Sequence, residues 1–308
     1  MSIAVYTIMR DEVTNVAQWA ETTGEADYRF VLDTGSTDGT IDELDAHGIE
    51  YQSAAITPFR FDDARNASLA LLPESIEWCL QVDADETLSW DWKQRFESVC
   101  DDRIRRYTYR WENHGLADWG VVMRSNLHAR HGFRWRYPAH EVLVPLVPTL
   151  EVPLLTVEHH PDETKSRRQY IDLLVQGVMD EPNDHRMAFY YARELKYLGA
   201  WNAARDQLQR FLAMTGGWPP ERAEAWRLLA EIDDDPERWL WKAVAECPER
   251  REPFCDLARL YLRHGDGAAA RAMTVLAARR VDEGVYTTSR DCWHEAFDTL
   301  CDECAVTA

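Results

Sequence analysis

The chain is short of positive charge: 34 Lys and Arg stand against 54 Asp and Glu, a formal charge of −20 over 308 residues. Such a surface repels nucleic acid and anionic membranes unless a local basic patch overrides the field. A phosphate-bearing ligand then needs a metal ion or clustered arginines to enter. No segment reaches the apolar length of a membrane span. The chain opens Met-Ser-Ile-Ala-Val, with no basic start, long apolar run or cleavage site, and a cytoplasmic protein is expected. Seven cysteines cannot all pair within one chain, and reduced thiols are expected. Neither Gly-x-Gly-x-x-Gly nor Gly-x-Ser-x-Gly occurs, which disfavours a dinucleotide enzyme and removes the common hydrolase elbow. Otherwise 45% hydrophobic and 29% charged residues describe an ordinary globular protein, and the length predicts two domains. Thirteen Trp is a high count; aromatic faces line sugar or protein contacts, although core packing explains most of them.

What is present starts with Trp78-Cys79-Leu80-Gln81-Val82-Asp83-Ala84-Asp85-Glu86, an apolar run that ends in acids. It reads as a buried strand over 78–82. Alternation along a strand would set Asp83 and Asp85 on one side and Ala84 on the other. Two carboxylates there suit a hard divalent cation and the phosphates it carries, whereas the plainer reading is a solvated acidic turn. Further strands are predicted over 3–8, 28–32 and 49–53, alternating with helices over 13–21, 40–47 and 61–72. That alternation argues for a largely parallel sheet with helices on its faces, whose ligands bind at the strands' carboxyl ends. The clusters Arg10 to Glu12, Asp33 to Thr40 and Asp83 to Glu86 all follow strands.

From 105 to 157 the pattern becomes strand-like, with runs at 107–109, 120–123 and 142–147. Arg124, Arg130, Arg134, Trp135, Arg136, Tyr137 and His140 make this segment basic and aromatic, fit to receive an anion. Beyond about Asp162 the chain reads as helical. Tyr191-Ala192-Arg193, Gly199 and Ala203-Ala204-Arg205 recur 66 residues on as Leu257-Ala258-Arg259, Gly265 and Ala269-Ala270-Arg271, with Leu229-Ala230-Glu231 as a degenerate middle copy. A period near 34 is the tetratricopeptide signature, and 66 is close to two such units.

Six stretches together carry a family likeness. They are Thr7-Ile8-Met9-Arg10-Asp11-Glu12, Val31-Leu32-Asp33-Thr34-Gly35-Ser36-Thr37-Asp38-Gly39-Thr40, Phe61-Asp62-Asp63-Ala64-Arg65-Asn66, Val82-Asp83-Ala84-Asp85-Glu86, His140-Glu141 and Val157-Glu158-His159-His160. In this order they resemble family 2 glycosyltransferases of the GT-A fold, above all a bacterial subgroup with a tetratricopeptide-like tail that includes peptide S-glycosyltransferases. Two departures stand out: Arg10-Asp11-Glu12-Val13 where many relatives have Lys-Asn-Glu-Glu, and His159-His160-Pro161 in place of His-Tyr-Gly. The second leaves the choice between His159 and His160 open.

The resemblance implies an α/β GT-A (Rossmann-like) nucleotide-sugar-binding domain over 1–160 and an all-α tetratricopeptide-like helical repeat domain over 161–308. It implies that Asp33 binds the base or ribose, that Thr7, Arg10 and Glu12 line the same pocket, and that Arg65 reaches the base or diphosphate. Asp83 would contact ribose and metal, Asp85 would be the main metal ligand and His159 a further one, for Mn2+ or Mg2+. The donor would be a nucleotide sugar, a UDP-sugar. Asp38 reads better as a helix cap at Thr40. An inverting transferase needs a base for the acceptor hydroxyl or thiol; Glu141 is the candidate, with Asp118 and Glu112 behind it. A surface acid paired with Arg134 or Arg136 is the plainer reading of Glu141. Trp135 and Tyr137 offer faces for a sugar or acceptor ring, or simply pack.

Cys292-Trp293-His294 and Cys301-Asp302-Glu303-Cys304 invite a zinc reading, but a single Cys-x-x-Cys near the chain end reads better as unligated cysteines on a helix. Repeat helices form concave protein-binding surfaces, so a protein or peptide acceptor is expected, and the helical tail is a place for a homodimer contact. Two alternatives stand beside this one: a transferase acting on a hydroxylated base in DNA, reading a strip at Arg130 to Arg136, and a non-enzymatic adaptor on a degenerate transferase domain.

Overall fold

A computed structural model describes residues 1–114, 121–162, 169–281 and 288–306. The chain divides into two compact units, Met1–Ser166 and Arg167–Ala308. The first unit runs β1 (Ile3–Met9), α1 (Val13–Thr22), β2 (Tyr28–Asp33), α2 (Thr40–Ala46), β3 (Glu50–Ser53), α3 (Phe61–Ala70) and β4 (Trp78–Gln81). It continues with β5 (Glu86–Leu88), α4 (Trp92–Val99), β6 (Arg106–Asn113), β7 (Val121–Ala129), β8 (Arg134–Arg136), β9 (Val142–Val144) and β10 (Leu150–His159). Among the described residues one sheet has the order β3-β2-β1-β4-β7-β6-β10-β5, and β8 and β9 form a separate hairpin. The strands β3, β2, β1 and β4 are parallel, β7 runs against both β4 and β6, and β10 lies parallel to β6 and antiparallel to β5.

Strand β1 is central because its residues are apolar at both parities. Ile3, Val5 and Met9 face the core shared with Val16 and Trp19 of α1, Leu44 of α2 and Phe96 of α4. Ala4 and Tyr6 face the opposite core with Phe30, Leu32 and Ala64 of α3. A sheet buried on both faces needs such unbroken apolar strands. Strand β9 stops at Val144, earlier than the run to 147 predicted, because Pro145 has no N–H for a ladder.

A buried polar relay ties this sheet to the β8–β9 hairpin. Trp135 Nε1 donates to the Tyr6 hydroxyl at 2.8 Å, and that hydroxyl lies 3.1 Å from His128 Nε2. The other ring nitrogen, Nδ1, is 2.8 Å from the Ala129 carbonyl, which can only accept. Nδ1 therefore carries the proton and Nε2 accepts from Tyr6, a complete chain with a neutral imidazole. Trp135 is thus a core residue, not an open face for a sugar.

The second unit contains α5 (Gln169–Asp180), α6 (His185–Tyr197), α7 (Trp201–Ala213), α8 (Pro219–Ile232), α9 (Pro236–Glu246), α10 (Glu252–Arg263), α11 (Gly267–Ala278) and α12 (His294–Val306). Helices α6, α8 and α10 begin 34 and then 33 residues apart, each followed by a partner helix. The repeated small residues sit where backbones meet: Ala192, Ala204, Ala258 and Ala270 are fully buried. Gly199 and Gly265 take φ of 74° and 76° in the turns between partners, a region that favours glycine. The repeated arginines cap helices further along, Arg205 on the Ile232 carbonyl at the end of α8 and Arg271 on the Ala305 carbonyl in α12. The middle copy is Ala225, also fully buried and 33 residues from both Ala192 and Ala258, not the predicted Leu229-Ala230-Glu231. Its flanks, Glu224 and Trp226, disguise it.

An α/β domain followed by an all-α, tetratricopeptide-like domain of paired helices is the fold class expected from the sequence. All seven cysteines are free thiols, and Cys304 packs with Phe297 and Leu300 in a helical core. Among the described residues no helix is long and apolar enough to cross a membrane.

Burial pushes His128 down to about 3 from 6.5. Between those values the unfolded chain binds a proton that the folded protein does not, so stability falls as pH falls, by roughly 1.4 kcal/mol per pH unit. Urea unfolding at pH 6.5 and 4.5 should show a steeper acid loss in wild type than in His128→Gln. Parallel profiles would mean the imidazole is not held neutral.

Candidate functional site

The carboxyl ends of β1, β2 and β4 lie along one edge of the sheet, and their loops are laced together. After β2, Asp33 turns its carboxylate into its own loop, accepting from the N–H of Gly35 at 3.2 Å and of Ser36 at 3.0 Å. Asp11, in the loop after β1, accepts from the Thr37 N–H at 2.7 Å. Asp38 reaches further than a cap for α2 alone: it accepts from the N–H of Thr40 at 3.0 Å and of Val13, the first residue of α1, at 3.1 Å. One carboxylate thereby satisfies the opening N–H of two helices.

The stretch after β4 departs from its expected geometry. The strand ends at Gln81, and the Glu86 N–H closes a turn on the Asp83 carbonyl at 3.1 Å, sending β5 back against β10. Strand alternation therefore does not govern these acids, and their carboxylates have different partners. Asp83 accepts from Arg65 Nη2 at 2.7 Å and Gln81 Nε2 at 2.9 Å. Asp85 lies 3.2 Å from His159 Nε2. Trp19 Nε1 fixes the base of the turn by donating to the Val82 carbonyl at 3.1 Å.

Arg65 is the bridge. From α3 it donates through Nη2 to Asp83 and through Nε to Glu141 at 2.5 Å, with its guanidinium 5.3 Å from the Trp135 ring centre. The next residue, Asn66, clasps the Trp135 main chain with bonds of 2.9 and 2.8 Å. Arg65 is only 5% exposed, and its Nη1 is buried with no hydrogen-bond partner among the described residues. Burial opposes its charge, but Asp83 and Glu141 prevail and raise its proton affinity above the usual arginine value. Burial likewise disfavours the Asp83 carboxylate, yet Arg65, aided by Arg124 and His159, holds it below the usual range. The partner of Glu141 is thus Arg65, neither Arg134 nor Arg136.

On the far side, Asn113 Oδ1 lies 3.0 Å from His159 Nδ1 and Trp111 stacks beneath the ring at 5.1 Å, fixing its orientation. Burial lowers its proton affinity, but the hydrogen bond and charge of Asp85, with Glu86 and Asp83 behind, raise it overall. His160 faces elsewhere, 3.4 Å from Thr87 Oγ1 and 3.7 Å from Glu158, so the Asp85 partner is His159. Two ligands at right angles around one cation at about 2.1 Å lie about 3 Å apart, which the Asp85–His159 separation matches. Asp83 is held by Arg65 instead, and among the described residues no three His, Cys, Asp or Glu groups converge as a ready cluster.

The remaining expected residues are more scattered. Thr7 is buried within β1, Glu12 accepts from Asn15 at 2.7 Å, and Arg10 is exposed with Asp11 3.9 Å away. Glu112 pairs with Arg110 on the sheet face opposite His159. Asp118 lies outside the described residues. Arg130 is buried, donating to the Leu72 carbonyl near the end of α3 at 3.0 Å, which removes it from any basic strip. Tyr137 carries a φ of 87° and lies under Arg136.

Sequence reading gave no site role to Gln81, Trp111 and Asn113, named Glu86 only as the end of the acidic cluster, and named Arg124 only among the basic residues of the 105–157 segment. Glu86 is 2% exposed, accepts from the Asp83 N–H and Trp111 Nε1, and pairs with Arg124 at 3.2 Å. Burial, then the charge of Asp83, raises its proton affinity. Its place directly after Asp83-Ala84-Asp85 was the available signal; the others lie on strands whose pairing no local pattern reveals.

No protein-family model and no curated protein matches the sequence. Among solved structures the chain is similar to TarS of S. aureus, at 10% identity and a TM-score of 0.46, over 77% of this chain and 54% of that one. Part of it is similar to glucosyl-3-phosphoglycerate synthase of Mycobacterium tuberculosis in complex with Mn2+ and UDP (20% identity, TM-score 0.30, 37% of this chain and 44% of that one). Part is similar to a thermophilic TPR protein of Thermus thermophilus (18%, 0.33, 44% and 77%). The chain thus spans about half the length of the first two.

Removing the bridge leaves two carboxylates close together without their cation. Asp83 is 30% exposed, so solvent softens the penalty, and Arg65→Met should cost roughly 2–4 kcal/mol by chemical denaturation. A loss below about 0.5 kcal/mol would make the bridge incidental.

Proposed function

We propose that the chain is a metal-dependent, inverting glycosyltransferase of family 2 type. It moves a sugar from a nucleotide-sugar donor, a UDP-sugar, to a hydroxyl or thiol on a protein or peptide. The observation that carries this reading is Arg65: a buried guanidinium at the carboxyl edge of the sheet's parallel strands, bridging two carboxylates, with one donor group left without a partner among the described residues. A buried N–H that the protein does not satisfy is a place for a ligand's acceptor oxygen, and a diphosphate is rich in these.

In this reading Asp33, at the end of β2, receives the base or ribose, with Thr7, Arg10 and Glu12 around it. Asp85 and His159 fit a divalent cation as neighbouring oxygen and nitrogen donors, with Asp83 beside them. When bound, the ion supplies positive charge against the charge that develops on the departing diphosphate. Arg65 adds a fixed cation to the same end, already oriented before the donor arrives. Glu141 takes the acceptor proton on the oxygen that Arg65 does not hold. The acceptor atom bonds to the anomeric carbon as the bond to the diphosphate oxygen breaks, and the proton ends on Glu141. The helical unit, with its paired-helix repeats, is the surface for the acceptor chain.

Thermal unfolding against nucleotide sugars and nucleoside diphosphates, with and without manganese, tests this. A cognate donor at about a hundred times its Kd should raise the midpoint by about 5–10 °C, only with manganese and not in Asp85→Ala. No shift with any donor in folded protein overturns the proposal and favours an adaptor.

A further inference from the structure

The sequence Glu-x-His occurs twice where the sheet sets the copies side by side: Glu112-Asn113-His114 and Glu158-His159-His160. Strands β6 and β10 are parallel and in register, with Glu112 opposite Glu158 and Asn113 opposite His159. The His114 N–H continues the ladder by donating to the His159 carbonyl at 2.9 Å. Alternation then sends Asn113 and His159 to the face occupied by Asp85, and Glu112, His114, Glu158 and His160 to the other.

On that outer face the two imidazoles stack with centres 5.1 Å apart and planes 24° apart. Both aim Nε2 at the same oxygen, Glu158 Oε2, from 3.9 Å for His114 and 3.7 Å for His160. His114 Nε2 also lies 3.8 Å from Glu112 Oε2, while Arg110 occupies the other oxygen of Glu112.

We propose that His114, His160 and Glu158 form a second cation site, with Glu112 beside it, distinct from the Asp85–His159 pair, and that it takes a zinc-class divalent ion. Two imidazoles and a carboxylate from positions i and i+2 of one strand and its neighbour are the nitrogen and oxygen donors that such ions prefer. Two ligands of one tetrahedral zinc lie about 3.3 Å apart, so the present spacings of 3.7 and 3.9 Å are a few tenths of an ångström wide. Among the described residues no three donors yet stand at bonding separation. His114, His160 and Glu158 are 44%, 41% and 47% exposed, so they can close on an ion by side-chain rotation without repacking the core. The bound ion would clip the end of β6 to β10.

The test uses the full chain carrying Asp85→Ala, which disables the pocket-side pair, so the outcome does not depend on the glycosyltransferase reading. Zinc is titrated in competition with a chromophoric chelator, and cobalt is substituted to read the ligand type. One equivalent of zinc should bind, about tenfold or more weakly once His114→Ala or His160→Ala is added. The cobalt spectrum should show no thiolate charge-transfer band, and the metal-free melting temperature should be the same in all variants. Zinc affinity unchanged by both histidine substitutions, a thiolate band, or no zinc bound would overturn the proposal.

Discussion

A guanidinium does not give up its proton inside a protein, and moving it out of water costs several kcal/mol. Once Arg65 lies under the sheet edge, its surroundings are therefore constrained to supply anions in a fork geometry. Asp83 and Glu141 do so from separate segments of the chain. The β8–β9 hairpin follows the same constraint, because Asn66, one residue further along α3, holds the Trp135 backbone while Arg65 lies against its ring. Helix α3 thus fixes both sides of the candidate site from a single turn. The relay from Trp135 through Tyr6 to His128 anchors that hairpin to the central strand.

Strand β10 shows how little sequence separates different chemistries. Val157 lies in the main core and His159 on the pocket side, while Glu158 and His160 between and after them look outward. Adjacent histidines of identical composition therefore have unrelated surroundings. One is wedged between Asp85 and Trp111 with Asn113 at its other nitrogen; the other is half in solvent beside Glu158 and His114. The register of β10 with β6 is what separates them, since a one-residue slip would exchange the two faces.

The parallel half of the sheet was legible because its strands are apolar runs with polar punctuation, and β1, β2 and β4 fall within a residue or so of their predicted limits. The helical repeat was legible from Ala192, Gly199 and Ala204 and their later copies, residues dictated by backbone approach and positive φ. The middle copy was not, because Ala225 carries the same burial with different neighbours. Nor was the Asp83–Glu86 turn: Asp-Ala-Asp-Glu has no Gly or Pro to announce it, and the turn is held by Glu86 and by Trp19 from distant α1. The pairing of Arg65 with Glu141 spans 76 residues, and long-range ion pairs leave no periodic trace. Arg134 and Arg136 were nearer in sequence and were the wrong partners.

The carboxylate of Asp38 has a consequence for where negative charge can be received. Helices α1 and α2 both start at the carboxyl edge of the parallel strands, and the positive pole of a helix dipole is an ordinary phosphate cradle. Here the first N–H of each is already turned toward one fixed anion. Both poles are neutralised in advance, and neither invites a phosphate group. In the proposed function an anionic ligand at this edge would be left to Arg65 and to a cation beside Asp85 and His159, which would direct its charged end toward β4 and leave the β2 side for its uncharged part.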